Sequence, residues 1–186
     1  MFAARSLGDP FDKVEISVPA GAGGFSVAQI RYSKIVIDQQ QTQDFHFAGC
    51  YDNYWHGQSF KPGLSTLTGV KLYIMKTGAP PNPAILSIRS SLTGPDLTSI
   101  ALPAAAFPIS WDWIEFDLPD ITVIPGNTYY LVLRTTGGTI YNCYIWSYGL
   151  VTPYTSGMLW KSYSGGIWGS WVSCSWYDFC FKTYGY

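Results

Sequence analysis

The sequence predicts an all-β fold, an antiparallel jelly-roll β-sandwich, on the basis of three observations. Aromatic residues make up 17% of the chain and charged residues only 12%, with 19 Gly and 12 Pro, a balance that suits strands joined by tight turns better than helices. Short β-rich segments alternate with turn signals at the spacing of about 8–12 residues typical of a sandwich. Within several segments apolar and polar side chains alternate, which is typical of a sheet with one wet face.

The chain of 186 residues is long enough for one domain with its own core. We divide it into an N-terminal arm or extra hairpin at residues 1–34 and a sandwich at residues 35–186. In the arm, "KVEISV" and "FSVAQIRY" have the pattern of strands, and "PAGAGG" between them is a flexible break. We expect the arm to dock on its own domain or on a neighbouring subunit.

The sandwich contains nine predicted strand segments. In "VKLYIMK", Val70, Leu72 and Ile74 lie on one predicted face, and in "DWIEFDL" the residues Ile114, Phe116 and Leu118 point inward. The turns are "GAPPNP", "TGPD", "IPGN" and "TTGG", in which Pro presets φ and Gly accepts a positive φ. The segments are "TQDFHF", "HGQSF", "GVKLYIM", "AILSIRS", "DWIEFDL", "NTYYLVLRT", "YNCYIWS", "MLWKSY" and "DFCFKTY".

Charge and hydropathy argue against two classes of partner. The net charge is −1 and no cluster of Lys or Arg is present, whereas binding to nucleic acid depends on concentrated positive charge. The longest apolar segments, such as "ITVIPGNTYYLVL", are interrupted by Pro and Gly and are shorter than the roughly 20 residues that span a bilayer. The N-terminus shows no signal peptide, so we expect that a leader has been removed or that the chain is made in the cytosol.

The sequence offers little material for covalent catalysis. The only glutamates are Glu15 and Glu115, and the acidic residues of "WDWIEFDLPD" are explained by a solvated strand face and turn. No nucleophile elbow, phosphate-binding loop or dinucleotide fingerprint is present. His46 and His56 flank Cys50 and Asp52 at a spacing that matches no metal motif, and we expect both to be satisfied polar neighbours of aromatic rings. We therefore predict no catalytic residue and no enzyme.

Four cysteines, Cys50, Cys143, Cys174 and Cys180, allow three disulfide pairings if all are oxidised. Cys174 and Cys180 could pair across a hairpin. Buried reduced thiols that pack as small hydrophobes are an equal alternative. The sequence leaves the pairing open.

The closing stretch "YTSGMLWKSYSGGIWGSWVSCSWYDFCFKTYGY" combines flat rings with Ser and Gly. Sugars stack their C–H faces on such rings, and the same rings give rigid contact area at protein interfaces. We assign Trp113, Trp146, Phe179 and Phe181 to the structure of the sandwich. A ligand-binding platform is predicted among five further rings, Tyr154, Trp160, Trp168, Trp171 and Trp176, which include those we expect to be exposed.

The motifs "WHGQSFKPG", "LTGVKLYIMKTGAP", "DWIEFDLPDITVIPGNTYYLVLRTTGG" and "DFCFKTYG" resemble those of jelly-roll surface modules, akin to choice-of-anchor and carbohydrate-binding-module sandwiches of surface and virus-encoded proteins. The resemblance covers about residues 40–185. It implies the possibility of a structural calcium ion held by Asp38, Asp44 and Asp178, and no other cofactor. We favour the alternative that Asp178 makes a turn or backbone hydrogen bond.

These observations favour a non-enzymatic structural or attachment protein on the surface of a virion, a filament or a cell. Its expected partners are copies of itself or other structural proteins, with glycan contact as a further possibility, and its expected location is extracellular or on a virion. The first alternative is a carbohydrate-binding module of a secreted enzyme, with Trp160, Trp168 and Trp171 as its stacking site. The second is a donor-strand filament subunit, whose arm completes the sheet of a neighbour.

Overall fold

A computed structural model describes residues 34–151, 153–167 and 170–186. Over these residues the chain forms fourteen strands and one 3-10 turn, Ala104–Ala106, and no α-helix. The strands are β1 (Val36–Gln41), β2 (His46–Cys50), β3 (Trp55–Phe60), β4 (Thr66–Thr77), β5 (Ala84–Arg89), β6 (Thr98–Leu102), β7 (Asp112–Phe116), β8 (Ile121–Thr122), β9 (Tyr129–Arg134), β10 (Cys143–Leu150), β11 (Leu159–Ser162), β12 (Trp171–Cys174), β13 (Tyr177–Phe179) and β14 (Phe181–Gly185).

The strands form two antiparallel sheets, so the all-β sandwich prediction is confirmed. The first, which we call the β4 sheet, has the order β1-β14-β4-β10-β13, with β2 paired to β10 and both β7 and β8 paired to β4. The second, the β3 sheet, has the order β12-β11-β3-β9-β5-β6. Jelly-roll connectivity stays a prediction, and the two strands predicted in the arm lie outside the described residues.

The core lies between the two sheets and follows the predicted alternation. Val70, Leu72 and Ile74 are completely buried, since every second side chain of a strand points to the same face. The indole of Trp146 stacks on Phe179 at 4.1 Å between ring centroids, with an angle of 16° between the planes. Its Nε1 donates a hydrogen bond to the backbone oxygen of Cys180 at 2.9 Å. This ring therefore combines apolar burial with a satisfied polar atom.

The side chains of β7 point in the predicted directions, but Ile114 is less deeply buried than Phe116 and Leu118. Phe116 is buried, as is Leu118 just beyond the strand, and Ile114 is half-buried against the core. Trp113 occupies the outer face, where its ring lies 5.3 Å from that of Tyr73 and the Nζ of Lys182 is 4.4 Å from its centroid.

The segment "TQDFHF" is placed differently from our expectation, because strand β2 begins only at His46. The side chain of Gln41 explains this offset. Its amide nitrogen donates to the backbone oxygens of Gln43, at 3.1 Å, and of Asp178, at 2.8 Å. A side chain that bonds its neighbouring backbone competes with strand pairing, so residues 42–45 form a connection instead.

Buried polar side chains also join the two sheets. Gln58 of β3 donates its Nε2 hydrogen to Oδ1 of Asp178 in β13 at 2.8 Å. Its Oε1 accepts from the backbone N–H of Phe179 at 2.7 Å. The second carboxyl oxygen of Asp178 accepts from the backbone N–H of Tyr154 at 3.2 Å. The expectation that Asp178 makes a backbone hydrogen bond is confirmed.

All four cysteines are unpaired thiols. Cys50, Cys143 and Cys180 are buried, and Cys174 is half-buried. The pairing of Cys174 with Cys180 is therefore not formed, and the Sγ of Cys180 instead donates to the backbone oxygen of Gln43 at 3.2 Å. No helix within the described ranges is long and apolar enough to cross a bilayer.

Replacing Trp146 should be far more destabilising than replacing an exposed tryptophan. We expect Trp146→Ala to reduce the free energy of unfolding by about 3–5 kcal/mol, because a cavity forms and the stacking on Phe179 is lost. The matched control is Trp176→Ala, which removes a ring that is 68% exposed and should cost less than about 0.5 kcal/mol. Denaturant unfolding followed by circular dichroism measures both, and equal losses would contradict the described core.

Candidate functional site

The predicted aromatic platform is divided among different environments. Trp160 of β11 and Trp171 of β12 lie on the outer face of the β3 sheet, as the pairing of Trp160 with Ser173 and of Ser162 with Trp171 requires. A Cβ added at Gly57 would lie 3.4 Å from atoms of both tryptophans, so this glycine allows the two rings to approach the strand. The Nε1 of Trp171 donates to the backbone oxygen of Gly166 at 3.2 Å.

The other members of the platform do not join this pair. Trp176 is exposed in the turn between β12 and β13, and Trp168 lies outside the described residues. Tyr154 is only 8% exposed, and its hydroxyl donates to Oε1 of Gln39 at 2.9 Å. Tyr154 therefore belongs to the packed interior and presents no ring face to a ligand.

The three aspartates predicted as calcium ligands differ in exposure and in hydrogen bonding. Asp44 is exposed, and Asp178 accepts the two hydrogen bonds described above. Oδ1 of Asp38 accepts from the backbone N–H groups of Gly63, at 2.8 Å, and Leu64, at 3.0 Å. Across the described part of the chain, no group of three or more His, Cys, Asp or Glu is placed to hold a metal ion.

A cleft of about 310 Å³ opens at one edge of the sandwich, near the lower end of the range of about 300–1,000 Å³ found for ligand pockets. We call it the tyrosine cleft. It lies where β2 of the β4 sheet comes close to β3 and β11 of the β3 sheet. Its walls are formed by Phe47, Ala48, Gly49, Tyr51, Tyr54, His56, Ile140, Cys143, Ile145, Lys161 and Tyr163.

Two tyrosines of this cleft, Tyr51 and Tyr54, are positioned by a two-residue turn between β2 and β3, and a third, Tyr163, follows β11. The backbone N–H of Tyr54 donates to the oxygen of Tyr51 at 2.8 Å, and Asp52 has a φ of 45°, a conformation that Asp tolerates better than most residues. The rings of Tyr51 and Tyr54 stack at 4.5 Å. Tyr163 meets Tyr54 edge to face at 5.5 Å, so the three rings form a continuous aromatic wall.

Two polar side chains, Lys161 and His56, complete the cleft. They are cross-strand partners in the pairing of β11 with β3, which places them side by side on one face of that sheet. The Nζ of Lys161 lies 5.0 Å from the ring centroid of Tyr148. His56 is only 3% exposed and forms the inner part of the wall. It lies 5.4 Å from the ring of Phe179, as expected for a histidine among aromatic residues, but the expectation that its ring nitrogens are both satisfied is wrong at Nδ1.

The hydrogen bonds of His56 define its protonation state. Its Nε2 lies 2.8 Å from the backbone oxygen of Gly49, a group that only accepts, so Nε2 carries the hydrogen. Its Nδ1 has no partner within the described structure and is an acceptor in this tautomer. The pKa of His56 is lowered to about 4, mainly by burial; the bond to Gly49 opposes this shift, and the nearby charge of Lys161 adds to it. His56 is therefore neutral at physiological pH.

Cys143 shares the cleft with His56, but the two are not arranged as a catalytic pair. Burial raises the pKa of the Cys143 thiol to about 11, so at neutral pH it is protonated, whereas a nucleophilic cysteine must be a thiolate. Its Sγ donates to the backbone oxygen of Ile140 at 3.4 Å. The Nε2 of His56 is likewise used by Gly49. The chemistry available here is hydrogen bonding, ring stacking and charge attraction.

Sequence reasoning missed this cleft because its residues come from three separate segments of the chain. The segment "HFAGCYDNYWHG" presents His, Cys and Asp close together, which points to metal ligands and not to its two tyrosines. One local signal was present, since Asp-Asn between two aromatic residues is typical of a tight turn, and such a turn places its flanking rings side by side. The contributions of Lys161 and Ile140 depend on sheet pairing, which the sequence does not display.

Comparisons of the chain with models of protein families and with curated proteins found no match. The resemblance to jelly-roll surface modules therefore stays a prediction.

The stability of the protein should contain two opposing pH-dependent contributions between about pH 4 and 6. Burial raises the pKa of Asp178 to about 6, against the opposing hydrogen bonds from Gln58 and Tyr154, so across this window the folded state binds more protons at Asp178 and stability falls as pH rises. His56 has the opposite sign. Its folded pKa is lowered, so the unfolded state binds more protons and stability rises with pH up to about 6.5.

Asp178→Asn removes one of these contributions. We expect the unfolding free energy of the variant, relative to that of the native protein, to increase by about 2 kcal/mol between pH 4 and 6.5. Urea denaturation at a series of pH values measures this difference, with Asp44→Asn as the control for loss of an exposed carboxylate. Parallel stability curves for Asp178→Asn and the native protein would disprove the assignment.

Proposed function

We propose that this protein is a non-enzymatic attachment protein, displayed on the surface of a virion, a filament or a cell, that binds a glycan in the tyrosine cleft and associates with structural proteins or with copies of itself. The observation that carries the proposal is the composition of the cleft. A stacked tyrosine wall stands beside one ammonium group and one buried acceptor without a partner. Ligand sites typically combine such apolar walls with a few well-placed polar groups.

Glycan chemistry matches these groups. The C–H faces of a sugar ring pack on flat aromatic surfaces, and its hydroxyl groups need both donors and acceptors. Lys161 supplies donors, and the hydroxyl groups of the tyrosines that line the cleft can both donate and accept. The protonated state of Cys143 and the hydrogen bond between His56 and Gly49 support binding without covalent chemistry.

Association is supported by the edges of the β4 sheet. Among the described strands, β2 pairs only with β10, and β1 pairs only with β14. Phe45 beside β2 is 70% exposed, and Phe47, Val36 and Ile37 on these strands are also exposed. Exposed edges with apolar side chains are templates for pairing with another chain. A carbohydrate-binding module of a secreted enzyme would share the cleft but has no need of such edges.

Removing one ring of the tyrosine wall should weaken glycan binding. We expect Tyr163→Ala to reduce the affinity for a glycan found by array screening by about tenfold, since ring stacking contributes about 1 kcal/mol or more. Tyr163 is 54% exposed, so its loss should leave the fold intact. Isothermal titration calorimetry on the full chain measures the affinity.

Trp176→Ala and Trp171→Ala are the matched controls, and we expect both to bind like the native protein. Loss of binding in these variants, with Tyr163→Ala unaffected, would move the site to the tryptophan face of the β3 sheet. Absence of any bound glycan would overturn the recognition part of the proposal.

The full chain should self-associate through β2. We expect light scattering after gel filtration to give a mass above 20.6 kDa, and we expect Phe45→Lys to lower it, because a charge on an edge opposes strand pairing. The control is Ile109→Lys, which places the same charge at an exposed loop position. A chain that begins at Ile35 tests whether the arm contributes. A native chain that is monomeric at every concentration would contradict self-association.

A further inference from the structure

We propose that the tyrosine cleft prefers ligands that carry a carboxylate, so that an acidic sugar such as a uronic acid binds more tightly than its neutral counterpart. This inference rests on the proposed function and specifies the class of glycan. It depends on the charge balance of the cleft and on the bonding of its two polar side chains.

The charge balance of the wall is positive. Among the residues that line the cleft, Lys161 is the one ionised side chain, since the wall contains no Asp, Glu or Arg and His56 is neutral. Lys161 is half-buried, and charge attraction is stronger where water is partly excluded. An anion that enters the cleft therefore meets an attractive charge and no carboxylate of the wall.

Three cations of the described chain are paired with carboxylates, and Lys161 is not one of them. Arg89 and Arg134 pair with Asp96 at 2.7 and 2.6 Å, and Lys71 pairs with Glu115 at 3.5 Å. Within the described residues no carboxylate is within ion-pair distance of Lys161, which instead lies over the ring of Tyr148. An ammonium group has three donors and no acceptor, so a ligand carboxylate is a suitable partner.

His56 offers no hydrogen-bond donor to an anion in the cleft. Its Nε2 hydrogen is used by Gly49, so the side chain has no donor left for an anion. Its Nδ1 can only accept, and this buried atom has no partner among the described residues. Lys161 is therefore the side chain of the wall that a ligand carboxylate contacts with an unshared charge.

The test compares sugars that differ only in the carboxylate. Glucuronic acid is paired with glucose and galacturonic acid with galactose, and each is titrated into the full chain by isothermal titration calorimetry or NMR. We expect the acid of at least one pair to bind about tenfold more tightly, the scale of one charge-assisted hydrogen bond. We expect this preference to shrink at high salt.

Lys161→Met keeps the length of the side chain and removes its charge and its donors, so it should weaken binding of the acid more than binding of the neutral sugar and thereby abolish the preference for the acid. Lys182→Met removes a cation over Trp113 on the outer face of the β4 sheet and should keep the preference. Thermal unfolding establishes that both variants fold. A second readout is the His56 pKa, which should rise in Lys161→Met because a repulsive charge is removed.

The outcomes separate the two proposals. Equal affinity for acid and neutral sugars, or a preference that survives in Lys161→Met, overturns this inference and leaves the glycan-binding function standing. Failure of the native protein to bind either member of both pairs counts against acid selection, and failure across the glycan array overturns the proposed function itself.

Discussion

The buried link between Gln58 and Asp178 is the constraint on which the rest of the structure depends. It joins β3 to β13 across the core, and the same amide group also holds the backbone of Phe179. Phe179 in turn supports two rings, since Trp146 stacks on it and His56 lies against it. Hydrogen bonds in a dry interior require defined geometry, and an unpaired donor there is costly. The link therefore fixes the spacing of the sheets at the point where the cleft opens, and apolar packing alone would specify that spacing less uniquely.

The cleft follows from this spacing together with the hairpin that connects the sheets. His56, Gln58 and Phe60 alternate along β3 on the inward face, but only His56 comes close to the sandwich edge and the cleft. The Tyr51–Tyr54 turn carries the chain from one sheet to the other at this edge. The short connection brings aromatic rings to the entrance, while the backbone of Gly49 holds the imidazole at the inner end. A binding wall and a structural hairpin are thus the same element.

The sequence predicted those features that depend on the alternation of apolar and polar side chains along a strand. It did not predict features that depend on contacts between segments distant in the chain. The inward positions of Val70, Leu72 and Ile74 follow from a period of two residues, which any strand obeys. The difference in burial between Tyr154 and Trp176 does not follow from such a period. Both are aromatic residues among polar neighbours in the sequence, and only tertiary packing buries Tyr154. The offset of β2 has the same origin, since it depends on a side-chain bond from Gln41 to Asp178. The tyrosine cleft combines residues more than 100 positions apart, so no local pattern displays it.

Phe47 connects the two parts of the proposed function, because it is an exposed residue of the edge strand β2 and also a wall of the cleft. A chain that pairs with β2 contacts this side chain, and a ligand in the cleft contacts it as well. Two binding events that share a residue have a coupling free energy, and each event changes the equilibrium constant of the other by the same factor. A partner that extends the wall strengthens ligand binding, whereas one that fills the cleft weakens it. Under the proposed function, the affinity for a glycan therefore depends on the assembly state of the protein, and the ligand favours the state that it binds more tightly.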